Sequence, residues 1–349
     1  MSSSRDIPSL DGLRAIAVST VIGGHLLNRA IGERDGVLVK LVGPVAFWGV
    51  GLFFAISGFL ITRLLLAERA RTGHLALGRF YGRRAVRLWP PLWVFLAAMA
   101  TLAAFDVLHV TARDVAASIF FVSDYVLAEN DTTLHTWSLS VEEQFYLLWP
   151  AVLLWAGYRR AWRWVAVAIA AGPLVRLASY ALVPDWRGSV SYQFHQLYDV
   201  LAFGCLLALL WDNEQVRSFV QHRAPMLMAG GLFTLLVTNV GGVFAGAPFE
   251  LLLGITLQSA AFTAIVAGAV ASAPRVLNVR PVRHVGVISY SLYLWQQPFT
   301  LDRLGPFANP ALGVLATVVV AELSYFLIER PCEPLRRRLN PVMPQETAH

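Results

Sequence analysis

The chain is short of charge, of cysteine and of lysine. Only 14% of its 349 residues are Asp, Glu, Lys or Arg, where soluble domains carry about 25%. With 56% hydrophobic residues and a mean hydropathy of +0.57, that shortage excludes an ordinary water-soluble domain, which could not bury so much apolar sequence. The only two cysteines, Cys205 and Cys332, exclude a disulfide framework and offer no metal-ligand spacing, so no metal is expected. Lys40 is the only lysine among 28 basic residues. The arginines cluster beside apolar runs, the pattern of membrane topology rather than of nucleic-acid binding. No small-residue cleavage site precedes the first apolar run, so MSSSRDIPSLDG is expected to lead into a retained span.

What is present is a series of apolar runs of membrane-spanning length. Ten spans are expected, at about 10–30, 41–65, 89–109, 137–157, 162–183, 196–212, 224–241, 248–270, 285–301 and 308–329. The expected fold is all-α: a polytopic transmembrane helix bundle forming one integral-membrane domain over 1–349, with spans from about 10 to 330 and a short basic tail at 331–349. The connections 67–88, 158–163, 212–224 and 273–286 and the tail are rich in arginine, whereas the alternate connections are mixed or acidic. The positive-inside rule then places both termini in the cytoplasm, in keeping with an even number of spans.

The first span, LDGLRAIAVSTVIGGHLL at 10–27, carries Asp11, Arg14 and His25. Eleven residues separate Arg14 from His25, about three helical turns, so the two lie on nearly one line about 16 Å apart along the axis. Asp11 and Asn28 fall within about 60° of that line. Such a stripe must face the bundle interior or a wet cavity. In the plain reading Asp11 and Arg14 form an interfacial ion pair and His25 bonds a neighbouring helix. In the functional reading His25 moves protons near neutral pH.

A second constellation is HTWSLSVEEQFYLLWP at 135–150. Glu142 and Glu143 are adjacent and point to different faces, while Ser138 and Tyr146 flank Glu142 at one-turn spacing. Five residues below the outer boundary, Glu142 sits about 8 Å deep, the depth expected for His25. A carboxylate at that depth can orient a catalytic imidazole. Alternatively, Glu142 is structural and satisfied by the Trp137 indole or by backbone groups.

The third constellation is the stretch GRFYGRRAVRLWPP at 78–91, with Arg79, Arg83, Arg84 and Arg87. On a helix 79, 83 and 87 share a face. Arginine forks suit phosphate oxygens, but arginines at a membrane end also serve topology and anionic headgroups. The functional reading is a site for a phosphorylated cytoplasmic ligand, with Arg14 on its inner wall.

Taken together, the chain resembles the membrane-bound acyltransferase family 3, the bacterial O-acetyltransferases of polysaccharides and some antibiotics. The resemblance runs through LDGLRAIAV with Arg14 and His25, GVGLFFAISGFLITRLL at 49–66, FYGRRAVRLWP at 80–90, HTWSLSVEEQFYLLWP at 135–150, SYSLYLWQQP at 289–298 and ERP at 329–331. It implies a multi-pass enzyme of the bacterial inner membrane that uses acyl-CoA, most simply acetyl-CoA, as co-substrate, with no permanently bound cofactor. It implies His25 and Arg14 as the essential pair, Glu142 as the acid of the WSLSVE motif, and Arg83, Arg84 and Arg87 as the basic cytoplasmic motif. Tyr293 and Trp295 are retained, but Gln296 stands where the family often has histidine, and an amide cannot act as a proton-transfer base. Some family members carry an added hydrolase-like domain, which is not expected here.

The resulting expectation is acyl transfer from acyl-CoA to a hydroxyl of a saccharide or glycoside. His25 would be the base, Glu142 its partner, and Arg14, Arg79, Arg83, Arg84 and Arg87 the donor site. Asp11, Trp137, Ser138, Glu143, Tyr146, Tyr293 and Trp295 would support the site on the acceptor side. The lipid bilayer is the remaining partner, and nucleic acid is not one. The rival expectation is a proton-coupled transporter or flippase of a glycolipid or acyl group, since arginine–histidine–carboxylate sets also occur in transporters.

Overall fold

Inside a bilayer a backbone polar group has no water to bond, so a chain this apolar is driven to helix. The computed structural model describes residues 7–31, 36–128, 131–189, 192–301 and 309–339, and among these the regular structure is entirely helical. The expected loop at 301–310 and the tail beyond 339 fall largely outside the described residues.

The chain opens with α1 (Pro8–Ile31), a short α2 (Val37–Val42) and α3 (Val45–Thr72), which ends on Gly73 at φ 76°. Next come α4 (Leu77–Ala104) and two short helices, α5 (Ala112–Ile119) and α6 (Asp131–Leu134). A Thr111–Asp114 capping box starts α5. The middle of the bundle is α7 (Thr136–Ala156), α8 (Ala161–Leu182) and α9 (Phe194–Leu210). A helical hairpin follows, α10 (Glu214–Phe249) and α11 (Ile255–Ser272), with Asn213 capping α10 and a π-turn at Glu250–Gly254 between the two. The last elements are α12 (Arg275–Asn278), α13 (Arg280–Val287), α14 (Ser289–Thr300), α15 (Pro310–Ser324) and α16 (Arg330–Arg338).

The expectation of ten spans is corrected. Among the described residues six helical stretches are long and apolar enough to cross a membrane: Pro8–Ile31, Val37–Thr72, Leu77–Ala104, Ala161–Leu182, Glu214–Ser272 and Pro310–Arg338. The runs at 224–241 and 248–270 fuse into the single stretch Glu214–Ser272. The 12 residues of α14 rise only about 18 Å, well short of a hydrocarbon core about 30 Å thick. Apolarity marked these segments, but length excludes α14 as a full span.

Helix α3 sits at the centre, packed on α1 and α9. Its approach to α9 depends on two glycines, since a Cβ on Gly58 would lie 2.0 Å from the Leu201 carbonyl oxygen and one on Gly204 would lie 2.3 Å from that of Ala55. Small residues of this kind let helix backbones meet inside a membrane, where packing rather than water exclusion drives association.

One buried charge ties three elements together. Arg176 on α8 is fully buried; its Nη1 donates to both carboxylate oxygens of Asp199 on α9 at 2.9 Å and to the Gln196 carbonyl at 2.9 Å. Its Nε donates to the Leu251 carbonyl in the π-turn, and its Nη2 to Thr256 Oγ1 on α11. In the connection between α5 and α6, buried Asp124 accepts from Gln144 Nε2 at 2.8 Å and from the Phe194 backbone N–H at 3.0 Å. Burial pushes this carboxyl up from its ordinary 3.8 to about 6, against the lowering effect of those bonds.

Two outcomes follow. Asp199→Ala leaves the Arg176 charge uncompensated and is expected to cost about 3–5 kcal/mol, read as a lowered melting temperature in detergent. A carboxyl raised in the folded state contributes stability that is complete below the ordinary value and is lost as pH rises through about 6. Melting temperature should therefore carry a component that falls with rising pH across that window. Asp124→Asn should abolish that component.

Candidate active site

The four arginines of α4 share one helix but not one environment. Arg79 is exposed. Arg83 donates from Nη2 to Glu68 Oε2 at 2.9 Å and from Nη1 to the Leu339 carbonyl at 3.0 Å, joining α3, α4 and the residue after α16. Arg84 reaches Glu143 Oε1 from Nη2 at 2.5 Å and from Nε at 3.2 Å, and its guanidinium carbon lies 3.2 Å from the Tyr146 ring centroid. Both side chains thus already have protein partners, Glu68 and Glu143. Arg87 has none: among the described residues it makes no ion pair or hydrogen bond, and it faces a cavity.

That cavity, about 130 Å³, is lined by Arg14 from α1, Ser57 from α3, Arg84 and Arg87 from α4, Glu142 from α7 and Tyr293 from α14. Glu142 Oε1 accepts from Ser57 Oγ at 2.5 Å and from the hydroxyl of Tyr146, one turn along its own helix. Ser138, Glu142 and Tyr146 all line the cavity, as their one-turn spacing requires, whereas Glu143 turns to Arg84. Arg14 stands within electrostatic reach of Glu142, Tyr146 and Arg87, and lies 3.6 Å from Asp11. Asp11 is itself 4.0 Å from Arg283.

On α1 the group that reaches Glu142 is Arg14, while His25 is within electrostatic reach of His135. His135 is seven residues from Glu142, about 10 Å along a helix axis. His25 lines neither this cavity nor the larger one described next. The Glu142 carboxylate is met by hydroxyls, and its bonds involve neither the Trp137 indole nor backbone groups.

His135, just ahead of apolar α7, carries no signal in the sequence beyond that position. It is buried, with Nδ1 2.8 Å from Gln297 Oε1 and Nε2 3.1 Å from the Leu294 carbonyl. Tyr293 donates to the His135 carbonyl at 3.0 Å and lies 2.5 Å from Ser138 Oγ. Trp295 packs edge-on against Phe95 at 5.3 Å. Gln296 is buried, its Oε1 accepting from Thr300 Oγ1 at 3.1 Å; neither residue lines a cavity described here. Trp137 belongs to a second cavity of about 540 Å³ near the opposite end of the bundle, which shares only Val50 and Phe54 with the first.

Residues 7–328 match a family described as an acyltransferase domain (Acyl_transf_3). Similar curated proteins include the peptidoglycan O-acetyltransferase OatA of Listeria monocytogenes, 29% identical over 94% of this chain and 56% of that protein. The putative peptidoglycan O-acetyltransferase YrhL of Bacillus subtilis is 30% identical over 94% of this chain and 55% of its own length. The O-acetyltransferase OatA of Staphylococcus aureus is 29% identical over 95% and 58% respectively. The chain thus spans just over half the length of these relatives. No solved structure matches it. Its apolar helices and these bacterial relatives place the chain in the bacterial cytoplasmic (inner) membrane as a multi-pass protein.

The adjacent carboxylates should separate in a stability measurement. Glu143→Gln leaves the largely buried Arg84 without its counter-charge and is expected to cost about 3 kcal/mol. Glu142→Gln retains an oxygen that can accept from Ser57 and Tyr146 and should cost about 1 kcal/mol or less. Thermal melts of both variants in one detergent check the order.

Proposed function

The chain belongs to the acyltransferase family whose domain it matches, and from that premise we propose an integral-membrane O-acyltransferase that moves an acyl group, acetyl in the simplest case, from acyl-CoA to a saccharide or glycoside hydroxyl. The observation that carries this reading is the cavity in which Arg14 and Arg87 stand over the anchored Glu142 carboxylate. In this reading 1–349 acts as one membrane domain, and its arginine-bearing end and both termini face the cytoplasm, where acyl-CoA is made.

The donor carries several phosphates, and guanidinium groups are their natural partners. Arg87, which makes no direct ion pair among the described residues, and exposed Arg79 meet them. Arg83 and Arg84, held by Glu68 and Glu143, shape the wall beside them. A cavity of about 130 Å³ has room for the acyl end of the donor and not for its nucleotide, so the pantetheine arm enters from the arginine mouth. Arg14 and Glu142 then line the path of that arm, which carries the thioester along α1 towards His25.

In the transfer, the acceptor hydroxyl oxygen attacks the thioester carbonyl carbon while His25 takes the hydroxyl proton. The tetrahedral intermediate collapses with cleavage of the C–S bond. The thiolate leaves and recovers the proton from His25 as free CoA thiol, so the enzyme returns unchanged. Glu142 fixes Tyr146 and Ser57 and balances the Arg14 charge. Tyr293, bonded to the His135 carbonyl and beside Ser138, positions the end of α7 nearest His25. The names of the relatives, peptidoglycan O-acetyltransferases among them, point to a glycan as the acceptor class.

Purified protein in liposomes, given radiolabelled acetyl-CoA and a saccharide, should transfer label to the sugar. His25→Ala should lower turnover by about 10³-fold with CoA binding retained; near-normal turnover would remove His25 from the role of base. Arg87→Glu should raise the donor KM by about tenfold or more with a smaller effect on kcat. A transporter would move substrate without labelling it.

A further inference from the structure

The larger cavity has no part in donor binding, yet its walls carry chemistry that lipid packing does not need. Its lining includes Glu250 and Gln258 beside the aromatic rings of Trp137 and Phe262, with Asn239 and Lys40 nearby. It lies between the connection joining α1 to α3 and the tip of the α10–α11 hairpin, near the end of the bundle opposite the arginines.

The backbone at that tip departs from helix in two places. Gly246 lies at φ 69°, ψ −162°, two residues before Pro248, and the chain then makes the π-turn Glu250–Gly254. Irregular backbone within a membrane is tolerated where it is buried in protein or lines a wet cavity, and π-turns concentrate at functional sites. Gly246, Ala247 and Glu250 all line this cavity. The π-turn is held from behind by Arg176, which binds the Leu251 carbonyl and Thr256.

The turn delivers a carboxylate with spare capacity. Glu250 is packed so closely against two glycines that a Cβ on Gly242 would lie 2.8 Å, and one on Gly254 2.5 Å, from its Oε2. Its Oε1 receives only a long 3.5 Å contact from Gln258 Nε2, and its Oε2 accepts no hydrogen bond among the described residues. The charge of Arg176 reaches Glu250 but makes its direct ion pair with Asp199. Asn239 has spent its Nδ2 on the Leu41 carbonyl at 2.7 Å and keeps its Oδ1. An ionised carboxylate can accept about four hydrogen bonds, and a polyol supplies donors in pairs.

We propose that this cavity is the acceptor site: a saccharide ring sits with its hydroxyls on Glu250 and Gln258 and its C–H face against the aromatic wall. This rests on the acyltransferase reading and adds where the acceptor binds and which groups choose it. The wall of Val50 and Phe54, common to both cavities, is where the acceptor hydroxyl and the donor thioester approach each other. Group transfer itself is the reaction written above, with no added reactant.

The test uses the full-length protein in nanodiscs with chitotetraose as the saccharide probe. Binding is measured directly by saturation-transfer NMR and, separately, as the acceptor KM for acetyl transfer. Glu250→Gln removes the charge at constant shape, and Ala247→Phe fills the cavity from an exposed position. Each should weaken chitotetraose binding and raise the acceptor KM by about tenfold, leaving CoA binding and the melting temperature at wild-type values. Wild-type binding that both variants preserve, no binding of chitotetraose to the wild type, or cavity occupancy by lipid chains in NMR with labelled lipid would each overturn the assignment. Saccharide binding that depends on Glu250 without any label transfer would uphold the site and refute the acyltransferase reading instead.

Discussion

A charge held away from water must bring its counter-charge with it, and the bundle is organised around that requirement. Arg176 and Asp199, both fully buried, fix α8 and α9 to the π-turn and α11. Arg83 with Glu68 and Arg84 with Glu143 fix α4 to α3 and α7. Glu142 is met by two hydroxyls and by the nearby charge of Arg14. Desolvation makes each such group expensive alone and specific when paired. Arg87 and Glu250 make no direct ion pair among the described residues, and each faces its own cavity.

Helix α1 links the levels of the site. Arg14 meets the Glu142 cluster, and about three turns further on His25 comes within reach of His135. Helix α3 separates the two cavities and can do so only because glycines let α9 close against it. A side chain at Gly58 would move α3 outward, and Val50, Phe54 and Ser57 would move with it. Packing at a glycine far from any charge therefore sets the thickness of the wall between the cavities.

Much of the site was legible in one dimension. The Asp11–Arg14 pair and the common face of Ser138, Glu142 and Tyr146 follow from 3.6-residue periodicity, and both are present. Periodicity relates residues on one helix and is silent about which helices meet. It puts Arg79, Arg83 and Arg87 on one face and gives no sign of Glu68 and Glu143, which pair with Arg83 and Arg84. Glu250 falls inside the expected span 248–270, and the break at Gly246 ahead of it leaves only a faint mark in the sequence. Gln296, an expected point of departure, is packed beside Thr300 away from both cavities.

Composition and hydropathy alone pointed to an all-helical membrane bundle, because apolar runs of about 20 residues can satisfy their backbone inside a bilayer as single helices. Helical spacing alone determined which polar residues share a stripe. The tertiary structure decided how many segments are long enough to span, which charges pair directly, and that Arg14 and His25 on one helix come within electrostatic reach of Glu142 and His135 respectively. Those outcomes depend on relative depth and contact between helices, and a difference of about two turns along one axis changes which groups can touch.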